Sequence, residues 1–89
     1  MIRRRYQVYG RVQGVGFRYT VMQAAKALGL TGWVRNEYDG TVTAELQGDG
    51  ASIEKLWEMV RRGSYIRIEG YDMTELAVDA AEQGFQVRR

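Results

Sequence analysis

With 89 residues, 45% of them hydrophobic and 27% charged, the chain can build one core and has no length for a second, so one domain over residues 1–89 is expected. It has no cysteine and no histidine, which excludes disulfides, thiolate or imidazole metal sites, and every nucleophile–imidazole mechanism. The net charge of +2 is unevenly spread: residues 1–36 carry seven basic side chains and no Asp or Glu, a field suited to an anion.

In chain order, residues 5–12 alternate, with Tyr6, Val8, Gly10 and Val12 on one face, and predict a half-buried strand. Arg3, Arg4 and Arg5 before it read equally well as part of an anion-attracting field or as a solvated basic terminus. The loop GRVQGVGFR at 10–18 follows. Next, Phe17, Val21, Ala24, Ala25 and Leu28 recur at helical spacing, and Gly29 suits a helix C-cap. Residues 33–37 and 41–47 predict two strands joined at Asp39-Gly40, with Val42, Ala44 and Leu46 facing inward and Thr41, Thr43, Glu45 and Gln47 exposed.

Ile53, Leu56, Trp57 and Val60 form the apolar stripe of a second helix, capped by Asp49 or Ser52 and ended by Gly63. Trp57, Met22 and Met59 are read as core. Residues 65–73, around Ile66 and Ile68, and 84–88, around Phe85 and Val87, predict two more strands, with a loop at 79–83. Gly70 inside the first of these suggests a bulge. The order βαββαβ predicts an α+β, ferredoxin-like sandwich: an antiparallel sheet with two helices on one face.

No apolar run nears the roughly 18 residues of a membrane span. MIRRRYQVYG has no apolar stretch behind its basic residues, so no secretory signal is expected and the cytoplasm is the expected compartment.

The glycine loop carries the chemistry. A glycine-rich turn between strand and helix leaves several amide N–H groups aimed at one spot, reinforced by the positive end of the helix dipole. Arg18 adds a planar fork for two oxygens of a phosphate. The loop is neither a Walker A sequence, lacking Gly-Lys-Ser/Thr, nor GxGxxG, so nucleotide hydrolysis and dinucleotide binding are disfavoured. Glu37 and Asp39 would repel a phosphate and are read as solvated turn residues.

GRVQGVGFR, followed some fifteen residues later by GWVRN, resembles the paired signature motifs of the acylphosphatase family, and the likeness extends over nearly the whole chain. The resemblance implies hydrolysis of the carboxyl–phosphate bond of acyl phosphates to a carboxylate and inorganic phosphate, without metal or cofactor. It implies that Arg18 binds the phosphate with the backbone of Gln13, Gly14, Val15, Gly16 and Phe17, and that Asn36 orients the attacking water. An acyl phosphate suits a chain without histidine, because its leaving carboxylate needs no proton. The chain departs from the family after the second helix, where RRGSYIRIEGY lacks a proline turn.

The partner expected is a small-molecule acyl phosphate, with inorganic phosphate as product, no nucleic acid or membrane, and a monomer as the default state. The same fold builds RNA-recognition modules, but their stacking aromatics are missing here, Tyr9 being the one aromatic expected on the exposed face of the first and third strands. A non-catalytic phosphate-binding module is the other alternative.

Overall fold

The computed structural model describes residues 1–89. Its elements are β1 (Ile2–Arg11), α1 (Phe17–Ala27), β2 (Thr31–Asn36), β3 (Val42–Gly48), α2 (Gly50–Arg61), β4 (Arg67–Leu76) and β5 (Phe85–Arg88). They form one sheet in the order β4-β1-β3-β2-β5. The first four strands pair antiparallel, as the βαββαβ order predicts. The terminal strand departs from that prediction: β5 adds to β2 in parallel, Gly32 opposite Phe85 and Arg35 opposite Arg88, so the sheet is mixed.

One face of the sheet makes the core. Val8, Val12, Val34, Val42, Ala44 and Leu46 meet Phe17, Val21, Ile53, Leu56 and Val60 from the helices, each 1% exposed or less. Period 2 in the strands and period 3.6 in the helices bring these positions to a single interface. Trp57 packs in this core, its ring 4.9 Å from that of Tyr6 and 6.4 Å from that of Phe17. Leu30 N–H donates to Ala25 O at 2.9 Å and Gly29 N–H to Lys26 O, so Gly29 closes α1 in a Schellman turn. Asp49 occupies the N-cap of α2, but its side chain makes no capping bond.

The opposite face corrects the sequence reading. Thr43, Glu45 and Gln47 are buried, not exposed. Arg3 reaches across from β1 to Glu45 at 2.8 Å and to Glu82 at 2.7 Å. Arg5 pairs with the other oxygen of Glu45 at 2.6 Å. Gln47 exchanges two bonds with the backbone of Asp79, at 2.9 and 2.7 Å, which pins the 77–84 connection under the sheet. The arginine triplet is therefore structural, and it extends β1 to Ile2, three residues beyond the predicted start.

The bulge foreseen at Gly70 is present. Tyr9 faces Gly70 while Gly10 faces Ile68, leaving Glu69 unmatched. Gly10 is required there: a Cβ would stand 2.1 Å from Arg67 O. This bulge bends the sheet edge just before the chain enters the glycine loop.

Candidate active site

Residues 12–16 leave the end of β1 and turn into α1. Gly14 at φ 72° and Gly16 at φ 77° hold left-handed conformations, and a Cβ on either would meet nothing within 4 Å. The demand on these glycines is therefore conformational, not spatial. No backbone or side-chain acceptor meets the N–H groups of Gln13, Gly14, Val15 or Gly16. Helix α1 begins with Thr20 N–H donating to Gly16 O at 3.0 Å, so the amides of its first turn lack helical partners too. The Thr20 hydroxyl also donates to Gly16 O, at 2.9 Å, which steadies this turn.

Gln13 anchors the loop in a way the sequence did not reveal. Its side-chain amide donates to Glu37 O and Thr41 O, both at 2.8 Å, tying the glycine turn to the β2–β3 hairpin. Asn36, last residue of β2, is thereby fixed beside the loop. The hairpin is itself braced: Asp39 accepts from the Thr41 N–H at 3.0 Å and from its hydroxyl at 2.6 Å.

Arg18 is the second residue of α1, behind the buried anchor Phe17. Its guanidinium donates to Arg88 O at 3.4 Å and has no carboxylate partner. The arginine ending the loop is thus steadied by the parallel strand β5 and keeps its charge available.

An open cleft of about 300 Å³ joins these parts, lined by Gly14, Gly16, Phe17, Arg18 and Asn36, with Val12, Tyr19, Met22 and Val87 as its apolar portion. The structure brings Arg18, Asn36, Gly14, Gly16 and Phe17 of the sequence-derived set to this one cleft. Gln13 and Val15 belong to the same loop without lining it. Of the rim residues, Tyr19 was not singled out from sequence, while Met22 was read as core and Val87 as part of the last strand, and neither was assigned to the site. Val87 shares the face of Phe85 in a strand, and that alternation was the available signal.

The Oδ1 atom of Asn36 is buried without a hydrogen-bond partner. Buried acceptors in folded proteins are almost always satisfied, so one left open on a cleft wall is a place for a donor from outside. Glu37 is the nearest acid in sequence. Its Oε2 accepts from the Thr43 hydroxyl at 2.6 Å and from Arg35 at 3.0 Å. These contacts, the hydroxyl first, hold its pKa below the ordinary glutamate value. It is an ionised brace of the hairpin and a poor base. No three His, Cys, Asp or Glu side chains converge as a metal-holding group.

The model of the acylphosphatase family matches residues 4–87. The chain belongs to the acylphosphatase family. An acylphosphatase of Oceanobacillus iheyensis is 41% identical over 83 residues, 91% of each chain. One of Salinibacter ruber is 44% identical over 84 residues, covering 93% of this chain and 88% of its own. The crystal structure of the acylphosphatase from Bacillus subtilis superposes with a TM-score of 0.90 at 33% identity, over the whole of both chains. Acylphosphatases thus share with this chain the mixed five-stranded sheet and the two helices on it.

Proposed function

We propose that this acylphosphatase hydrolyses acyl phosphates by attack of water on phosphorus in the cleft between the glycine loop and Asn36. The observation that carries the reading is the open Asn36 Oδ1, set in the same cleft as unpartnered loop amides and an arginine free of carboxylates.

The loop amides and Arg18 take the phosphoryl oxygens. Amides are fixed dipoles that need no reorganisation as charge shifts among those oxygens, and the arginine fork meets two at once. Asn36 accepts one O–H of water and so directs its lone pair at phosphorus. The new O–P bond forms as the bond from phosphorus to the acyl oxygen breaks. The electron pair leaves with the carboxylate, and the water's proton passes to a phosphoryl oxygen. A carboxylate is a weak base, so no general acid is needed on the leaving side. Tyr19, Met22 and Val87 offer an apolar rim for the acyl group.

The partners in this reading are a small acyl phosphate and the inorganic phosphate it yields, with no metal or cofactor. The chain acts as a cytoplasmic monomer. No helix is long and apolar enough to cross a membrane. The sheet face that a nucleic acid would use is filled by Arg3, Arg5, Glu45 and Gln47, which favours the small-molecule reading over an RNA module.

Asn36→Ala tests the assignment. Turnover of benzoyl phosphate should fall by roughly 10²-fold or more, as for other lost transition-state contacts, while affinity for inorganic phosphate is kept. Near-normal kcat in this variant would overturn the role of Asn36.

A further inference from the structure

The charges of this molecule are sorted by end. Four arginines have carboxylate partners: Arg3, Arg4 and Arg5 at the start of β1, and Arg35 beside Glu37. Every other arginine lies at the cleft end, and none has a carboxylate partner. Arg11 ends β1, Arg18 opens α1, Arg61 and Arg62 close α2, Arg67 opens β4, and Arg88 ends β5 with Arg89 beyond it. The acids at this end are largely engaged: Glu37 by Arg35 and Thr43, Asp39 by Thr41. Glu69 lines a neighbouring cleft with Arg11 and Arg67.

Two details make the sorting costly to the fold. Arg11 and Arg67 are opposed in register across β1 and β4, and Arg35 and Arg88 stand side by side across β2 and β5. Like charges on adjacent strands destabilise a sheet. Arg35 and Arg88 are accommodated by the ring of Trp33, at 5.1 and 4.7 Å from its centroid. Arg11 and Arg67 have no such support. Departures from local stability rules concentrate where function needs them.

We propose that Arg11, Arg61, Arg62 and Arg67 form a cationic collar that draws anionic substrate to the cleft without touching the reacting atoms. The proposal rests on the acyl-phosphate reading, whose substrate and product are multiply charged anions. None of the four lines the substrate cleft itself, but charges of one sign gathered at one end of a molecule raise the local anion concentration and the rate of encounter there, and both effects fade with salt. The collar therefore acts on kcat/KM and on phosphate affinity, and leaves kcat alone.

The test uses two double variants of equal net charge. Arg61→Gln with Arg67→Gln removes two charges from the collar. Lys26→Gln with Lys55→Gln removes two exposed charges away from it, near the C-terminal end of α1 and in the middle of α2. For benzoyl phosphate at ionic strength near 0.03 M, the collar variant should lose kcat/KM by about three- to five-fold, with a shallower salt dependence and unchanged kcat. The lysine variant should change less than two-fold. Equal losses would mean that only net charge matters and would overturn the collar, as would an unchanged kcat/KM in the arginine variant. Calorimetric affinity for inorganic phosphate reads the same difference without turnover. If wild type hydrolyses nothing while phosphate affinity still separates the two variants, the functional reading fails and the collar stands.

Discussion

The Arg18 side chain makes one hydrogen bond within the protein, to Arg88 O at 3.4 Å, and lines the cleft beside the loop amides. A group that meets phosphate in both ground and transition state should affect binding and rate together. Arg18→Ala is accordingly expected to lose both phosphate affinity and kcat. Arg18→Lys should restore little, because an ammonium is a point charge and not a fork. Full rescue by lysine, measured as kcat/KM on benzoyl phosphate, would show that charge alone suffices. Residue chemistry also sets the pH profile. With no histidine or cysteine, and with Glu37 held ionised by Thr43 and Arg35, no side chain of the site titrates near neutrality. The kcat should be nearly flat between about pH 6 and 8, and any fall at lower pH should follow protonation of the substrate phosphate. Profiles for two acyl phosphates of different acidity decide this. A shared inflection near 7, unmoved by substrate, would reveal an enzyme-borne base.

At the level of elements, the helix stripes, the Asp39-Gly40 hairpin, the Gly29 cap and the bulge at Gly70 were legible, because each depends on local spacing or on a glycine's backbone. So were Arg18 and Asn36, placed by two short motifs and found in one cleft. Long-range polar contacts were not legible. Nothing in an alternating TVTAELQG shows that its polar side is covered, since the cover comes from Arg3 and Arg5 on one neighbour and from Asp79 and Glu82 far along the chain. The parallel pairing of β5, and with it the carbonyl that steadies Arg18, was hidden for the same reason.

The polar network behind the sheet has its own pH signature. Burial pushes the carboxyls of Glu45 and Glu82 up, but the bonded arginines outweigh it and both pKa values lie below the usual glutamate value. Folded values below the unfolded one, near 4.3, mean that the contribution is complete above about pH 5 and is lost as pH falls through the lowered native values. Glu82→Gln should therefore lower the thermal midpoint at pH 7 and lose less further stability than wild type between pH 5 and 3. Parallel curves for the two proteins would contradict a stabilising Arg3–Glu82 pair.

Over the whole molecule, the fold separates two tasks along the strands. At one end Arg3, Glu45 and Glu82 lock the sheet to the 77–84 connection. At the other, beyond Arg11 and so eight residues of strand or roughly 26 Å from Arg3, the glycine loop and Asn36 Oδ1 are left without partners and Arg18 without a carboxylate. In the proposed mechanism, this open end directs water to phosphorus. Hydrolysis of benzoyl phosphate in ¹⁸O-enriched water tests it most directly, by mass analysis of both products. Attack at phosphorus predicts rapid release with the label in inorganic phosphate and none in benzoate. Label appearing in benzoate would mean attack at the acyl carbon and would contradict the account.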